Sequence, residues 1–129
     1  MKKIFLTLTI MLVTLSTQAM SYQQAREHAL FLTDKMAYEL NLSPAQYDRV
    51  YEVNLEYFMQ INSHHDCRGK YWDYRNIDLS YILHDWQYQL FSSISYFFTP
   101  LRWVHSKWVF GIYDHYHTGH YYYNRPTIY

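Results

Sequence analysis

The chain has 129 residues, and its 11 basic residues are balanced by 11 acidic ones, so its formal net charge is zero. This balance lacks the basic excess typical of proteins that bind nucleic acids, and the length suits one small domain. Aromatic residues make up 21% of the chain, 16 of them tyrosines, and because each buries a large area they can build a core in a short chain.

The N-terminus has the pattern of a secretory signal peptide. Lys2 and Lys3 precede an apolar run over residues 4–15, which is shorter than the roughly 20 residues that a membrane-spanning helix needs. Small residues follow up to Ala19, so residues 1–19 are predicted to be removed on export. The alternative is an uncleaved N-terminal anchor. Cleavage predicts a periplasmic protein that has no membrane span and an excess of acidic residues.

Two amphipathic helices are predicted next. The first runs from Ser21 to Leu40, and its apolar stripe consists of Ala25, Ala29, Leu32, Met36 and Leu40. Asp34 and Lys35 lie off this stripe and are expected at the surface. The second helix runs from Pro44 to about Asn62, and the short link between the two favours an antiparallel hairpin. Asn54 lies on the apolar stripe of the second helix, where it either fixes the register or occupies a wet edge.

Two further helices follow a polar break over residues 63–70. The third is predicted over Tyr71 to Ile82 and the fourth over about Asp85 to Phe98, where Thr99-Pro100 ends it. Their expected faces consist of Tyr74, Ile77, Asp78 and Tyr81 in the third helix and of Trp86, Leu90, Ile94 and Phe97 in the fourth. Residues 20–99 are therefore expected to form a helical domain.

Residues 100–129 form a tail rich in tyrosine, tryptophan and histidine. Lys107 to Tyr113 is aromatic and β-branched, which predicts a strand, and Tyr121 to Tyr129 is expected to be extended or irregular. The tail either packs along the helices or lies partly disordered. The predicted fold class is all-α: an antiparallel helical hairpin of about four helices, with an extended or irregular aromatic C-terminal tail.

A short junction occurs twice, as Leu42-Ser43-Pro44-Ala45-Gln46-Tyr47 and as Leu83-His84-Asp85-Trp86-Gln87-Tyr88. The first copy predicts a helix start, with a serine N-cap, a proline in the first turn and a glutamine that closes a capping box. The second copy has His84, a poor cap, in the serine position, and Asp85 is the alternative cap. The positions assigned to this helix-cap motif are Leu42, Ser43, Gln46, Leu83 and Gln87.

Residues 42–46 resemble the Leu-Thr-x-x-Gln motif of the Spy and CpxP family of periplasmic proteins, and residues 83–87 fall where a second motif is expected. The resemblance covers about residues 25–98 and excludes the tail. It implies a bent helical hairpin that dimerises into a thin cradle. It also implies the function of an ATP-independent chaperone or of a factor in envelope stress or metal stress.

The sequence contains no catalytic signature, such as a glycine-rich phosphate loop or a His-Glu-x-x-His helix, so no enzyme activity is predicted. The aromatic side chains are instead the candidate partner-binding surface. The alternative for the residues on the helices is packing in the core or in a dimer. The candidate residues are Tyr47, Tyr51, Tyr57, Phe58, Trp86, Phe91, Trp103 and Trp108.

The histidines of the chain support a competing interpretation, which is metal binding. His115, His117 and His120 lie close together, and in an extended segment the first two point to the same side. Such a set is able to hold zinc or copper, although histidines are also tolerated in a polar tail. A second possible ligand set is formed by His64, His65, Asp66 and Cys67. Cys67, the only cysteine, is either an inert thiol or a link between two chains.

The sequence therefore favours an exported, non-enzymatic envelope protein without a cofactor. Its expected role is that of a chaperone-like or stress-response protein that binds partly unfolded envelope proteins, with a homodimer as a possible assembly. The alternatives are a periplasmic zinc- or copper-binding protein and a structural envelope component that assembles through its aromatic tail.

Overall fold

The computed structural model describes residues 20–123, which are mostly helical and contain one small sheet. The predicted signal peptide and residues 124–129 lie outside this range. Within the described part, no helix combines the length and apolar character needed to cross a membrane. The elements are, in chain order, α1 (Tyr22–Leu40), α2 (Pro44–Met59), a 3-10 helix (His64–Arg68), α3 (Lys70–Ile82), α4 (Asp85–Ser93), α5 (Ser95–Phe98), β1 (Leu101–Val104), β2 (Lys107–Phe110) and a second 3-10 helix (Gly111–Asp114).

Helix α1 lies at the centre of the core. Its N-terminus has a capping box that the sequence analysis missed, in which the Ser21 hydroxyl accepts the Gln24 N–H at 3.1 Å. The predicted apolar stripe of α1 is buried throughout, as expected. The surface position expected for Asp34 and Lys35 is wrong, because both are completely buried. The tail covers them, which the spacing within α1 does not reveal.

Residues later in α2 contact residues earlier in α1. The Asn54 amide donates to the Thr33 hydroxyl at 3.0 Å, and one turn later the Phe58 ring meets the His28 ring edge-on at 6.4 Å. Asn54 is completely buried, which excludes the wet-edge alternative. Its side chain therefore ties the two helices together at one register.

Two helices end earlier than the sequence predicts. Helix α2 stops at Met59, and the Asp66 carboxylate then accepts the N–H groups of Asn62 and Ser63 at 2.9 and 3.1 Å, which turns the chain. Helix α4 is interrupted at Ile94, which has an extended backbone. The preceding Ser92 and Ser93 donate to carbonyls within their own turn, a side-chain bond that competes with helix continuation.

The tail folds onto the helices, and its strands make the all-α prediction incomplete. Strands β1 and β2 form an antiparallel hairpin in which Trp103 faces Trp108. Its two-residue turn places His105 and Ser106 at positive φ, the backbone combination of a type I′ turn. The predicted strand ends at Phe110, because residues 111–114 form a 3-10 helix instead.

The buried faces of α3 and α4 are not the sides on which the sequence groups most apolar residues. The inward face of α3 consists of Arg75, Asn76, Leu79 and Ile82, and α4 buries Gln87 and Phe91. Apolar residues that share a side in the predicted helices, among them Tyr81 and Trp86, are exposed. A charged side chain, Arg75, lies at the centre of the buried face of α3.

Candidate functional site

A buried arginine joins four helices beneath the surface of α3. Arg75 donates from Nε to the Asn54 side-chain oxygen at 3.0 Å and from Nη2 to the Phe97 carbonyl at 2.9 Å. Asn54 in turn holds Thr33 of α1. The guanidinium lies near the rings of Tyr57 and Phe91, and burial lowers the pKa of Arg75 to about 10. Arg75 thus holds the C-terminal carbonyls of α5 against α1, α2 and α3.

The two copies of the duplicated junction contact each other. The Gln46 amide donates to the Gln87 side-chain oxygen at 2.8 Å, and the Gln87 amide donates back at 3.2 Å. Each glutamine also donates to the last carbonyl of the helix that precedes the other junction. Gln46 donates to the Ile82 carbonyl, at the end of α3, at 3.1 Å, and Gln87 donates to the Leu40 carbonyl, at the end of α1, at 2.9 Å. The contacts are reciprocal, so each unit satisfies the free carbonyls of the other.

The backbone at the two junctions also matches. Ser43 has φ −70° and ψ 162°, and His84 has φ −68° and ψ 160°. Gln87 accepts the His84 N–H at 2.8 Å, as Gln46 accepts the Ser43 N–H at 2.9 Å. Helix α4 begins at Asp85, so His84 occupies the N-cap position and the alternative cap at Asp85 is wrong. Leu42 and Leu83 are both buried.

We expect Gln46→Ala and Gln87→Ala each to lower the free energy of unfolding by about 1 to 3 kcal/mol, because each leaves buried partners unpaired. The double variant should lose about 1 kcal/mol less than the sum, since the two side chains share one bond pair. Urea denaturation measures all three, and Gln89→Ala, on the exposed side of α4, is the control. Strict additivity would show that the two junctions are independent.

One face of α1 holds the tail at three successive places. His28 Nδ1 shares a hydrogen bond with the Tyr113 hydroxyl at 2.8 Å. Farther along, Asp34 and Lys35 bind the backbone of residues 120–123. Near the end of the helix, Glu39 accepts hydroxyl bonds from Tyr96 and Tyr116. Burial, reinforced by Glu39, raises the pKa of Tyr96 to about 12, so both tyrosines donate at neutral pH.

Lys35 occupies an aromatic cage at the middle of this face. Its ammonium donates to Asp34 at 2.7 Å and to the His120 carbonyl. It lies 4.3 Å from the ring centre of Phe31 and about 5 Å from those of Tyr121 and Tyr122. Since an ammonium is attracted to aromatic faces, the tail tyrosines stabilise a charge that is otherwise costly to bury.

His28 makes stability depend on pH near neutrality. Burial lowers the pKa of His28 below its usual 6.5, and the ring stacks on Phe110 at 3.8 Å. As pH falls through 6.5, the unfolded chain takes up this proton before the folded chain does, so stability falls. We expect the unfolding free energy to decrease between pH 7 and 5.5, and to decrease less in His28→Phe, as measured by urea denaturation. An unchanged slope would contradict this, and His117→Gln, at an exposed site, is the control.

The eight aromatic residues proposed for partner binding differ in their exposure to solvent. Tyr51, Tyr57, Phe58 and Phe91 are buried, so the core-packing alternative describes them and they are not available to a partner. The Tyr57 hydroxyl, for example, donates to the Cys67 carbonyl at 2.5 Å. Trp86 and Trp103 are exposed, while Tyr47 and Trp108 are half-buried.

Five residues, of which Trp86 alone was among those eight candidates, form the exposed apolar surface of α3 and α4. Its members recur at helical spacing and are each at least 38% exposed, with Tyr81 reaching 81%. We call it the α3–α4 apolar surface: Tyr74, Ile77, Tyr81, Trp86 and Leu90. The spacing of these residues was recognised in the sequence, which left open whether the face is exposed or buried.

The three tail histidines proposed as metal ligands differ in their backbone conformation and in the rings that they contact. His115 has a helical rather than an extended backbone, so it does not have the alternation that was expected to align it with His117. Its ring packs at a tilt against Tyr96 at 4.2 Å. His120 packs edge-on against Tyr122. Over residues 20–123, no group of three or more potential ligands converges on one point.

The second ligand set is split between surface and core. His64 and His65 are exposed, and the Asp66 carboxylate is bonded to backbone N–H groups. Cys67 is buried, and burial raises its pKa to about 11. Its thiol is therefore protonated at neutral pH, in agreement with the inert alternative.

Comparisons with known proteins give no relative: no family model matches the chain, and neither a curated protein nor a solved structure is similar to it.

Proposed function

We propose that this chain is an exported, non-enzymatic envelope protein that binds partly unfolded protein segments at the α3–α4 apolar surface and needs no ATP. The observation that carries the proposal is the outward position of five large apolar side chains on helices whose other faces are well packed. Exposed apolar residues grouped in this way are typical of interaction sites, whereas single ones are ordinary.

The chemistry of the surface favours clients that are apolar and basic. Tyrosine and tryptophan give a large contact area at a low cost in side-chain entropy, which suits partners without a fixed sequence. Asp73, Asp78 and Asp85 are exposed on the same two helices. Their carboxylates favour segments that carry lysine or arginine next to apolar residues.

The proposed family relationship has support in the junction contacts. The reciprocal bonds of Gln46 and Gln87 connect two helical units that each consist of a helix, a capped turn and a second helix. The packing of Asn54 on Thr33 and of Phe58 on His28 supports an antiparallel hairpin in the first unit. On this basis we infer an arrangement similar to that of the Spy and CpxP proteins.

An aggregation assay tests the proposal. The protein should slow the aggregation of reduced α-lactalbumin, and the double variant Tyr81→Ser, Trp86→Ser should lose most of this protection because it removes one exposed ring from each helix. The matched control is Tyr22→Ser, since Tyr22 is 53% exposed but lies on α1. Absence of protection by the unaltered protein at equimolar amounts would overturn the proposal.

A second copy of the chain is the competing occupant of this surface. If the surface is a homodimer interface, sedimentation should show a dimer that the double variant converts to a monomer, with protection unchanged. If it binds clients, protection is lost while the oligomeric state is unchanged. The two results are distinguishable in one set of samples.

A further inference from the structure

Exposed basic and aromatic side chains gather where the β-hairpin packs on the first 3-10 helix. Arg68 and Lys70 are exposed at the end of that 3-10 helix and the start of α3. Arg102 and Lys107 are exposed on one face of the hairpin, and Trp103, which the strand register places on the opposite face, is 40% exposed. We call these five residues the basic aromatic end.

This clustering is not a reflection of the overall charge, which is zero for the chain. Among residues 20–123, Lys35 and Arg75 are buried and Arg26 pairs with Glu27 at 3.4 Å. Arg49 is then the one exposed basic residue elsewhere in the described range. Positive charge available to a partner is thus concentrated at one end of the molecule.

Contacts between the hairpin and the 3-10 helix hold this end together. The His64 ring stacks over Trp103 at 6.0 Å, and Trp103 packs edge-on against Trp108 at 4.5 Å. Between the two elements lies an open cleft of about 290 Å³. Its lining includes His64, His65, Arg68, Arg102 and Trp103, so that cationic groups surround an aromatic wall.

Three carboxylates lie near this end against its four basic side chains, so a small positive excess remains. Asp66 is bonded to two backbone N–H groups in its own turn. Asp114 lines a second cleft together with Arg102. Asp73 follows Lys70 by one helical turn and is exposed. The hairpin itself, residues 101–110, carries Arg102 and Lys107 and no acidic residue.

We infer that the basic aromatic end binds the surface of a membrane that contains anionic phospholipids. A hairpin that approaches the membrane tip first brings Trp103 on one face and Arg102 and Lys107 on the other to the interfacial layer, where the indole ring is favoured and lipid phosphates attract the basic side chains. The zero net charge of the chain favours this partner over a nucleic acid. The inference does not depend on the α3–α4 apolar surface.

Vesicle co-sedimentation tests the inference with the secreted protein, its N-terminus identified by mass spectrometry. Vesicles of phosphatidylglycerol and phosphatidylcholine at 30:70 should bind it, and pure phosphatidylcholine vesicles should not. Each basic residue next to an anionic surface strengthens binding roughly fivefold, so Arg102→Gln with Lys107→Gln should weaken binding by about tenfold or more. Trp103→Ser should also weaken binding and abolish a blue shift in tryptophan fluorescence.

Two matched controls test whether vesicle binding depends on the basic aromatic end. Arg49→Gln removes the same charge as Arg102→Gln, and Trp86→Ser removes an exposed tryptophan, both outside the basic aromatic end. Both should leave vesicle binding unchanged, and because every variant has the same N-terminus, differences report on the substituted residues. Equal losses in the controls, equal binding to uncharged vesicles, or tighter binding to a 20-base-pair DNA duplex at the same phosphate concentration would overturn the inference.

Discussion

Replacing Arg75 by leucine should lower the free energy of unfolding by about 3 to 5 kcal/mol, the largest loss that we expect from one substitution in α3. The leucine removes the donors that satisfy the Asn54 side-chain oxygen and the Phe97 carbonyl, both of which are inside the protein. Each buried acceptor left without a donor costs about 1 to 3 kcal/mol. Urea denaturation followed by tryptophan fluorescence measures the change.

The matched control is Arg49→Leu, at an exposed position of α2, which should change the unfolding free energy by no more than about 0.5 kcal/mol. Arg75→Lys should fall between the two, because an ammonium keeps the charge but lacks the planar fork that reaches several acceptors. A loss below about 1 kcal/mol in Arg75→Leu would show that the network does not hold the four helices together.

Replacing Asp34 by alanine should also cost about 3 to 5 kcal/mol, because it leaves the Lys35 ammonium buried without its carboxylate. The same change removes the acceptor for the N–H groups of Tyr122 and Tyr123 at 3.0 Å. We therefore expect the end of the tail to detach. Chymotrypsin, which cleaves after aromatic residues, should cut residues 121–123 much faster in the variant, and urea denaturation measures the loss of stability.

The double variant Asp34→Leu, Lys35→Met separates charge from packing. Replacing both members of a buried pair by apolar side chains of similar size is far less costly than removing one. The double variant should therefore be more stable than Asp34→Ala, even though it carries one more substitution. If the double variant is less stable than Asp34→Ala, the Asp34–Lys35 ion pair contributes net stability of its own. The aromatic cage around Lys35 is then not the main source of the stability lost in Asp34→Ala.

The sequence was sufficient for the elements that depend on local patterns. The stripe of α1, the cap at Ser43 and the start of α4 at Asp85 follow from spacing and capping chemistry, and all are present in the structure. The inward face of α3 was not predictable in this way. Its central residue is Arg75, whose acceptors lie more than twenty residues away in the chain, at Asn54 before it and at Phe97 and Phe98 after it.

The contacts of the tail were likewise not predictable from local sequence patterns. Lys35 and Asp34 read as surface residues because nothing within α1 indicates that residues 116–123 cover them. The hairpin was missed because its turn, His105-Ser106, lacks the glycine or asparagine that usually marks such turns. The duplicated glutamines were recognised as cap residues, but their contact with each other depends on how the two units pack.

Site-specific photo-crosslinking tests the central claim, client binding at the α3–α4 apolar surface, most directly. A benzophenone amino acid replaces Tyr81 in one sample and Tyr22 in another, both exposed aromatic positions. Each protein is mixed with reduced α-lactalbumin and irradiated. The proposed function predicts a cross-linked product from position 81, and little or none from position 22. Cross-linking that is absent at 81, or equal at both positions, would contradict it.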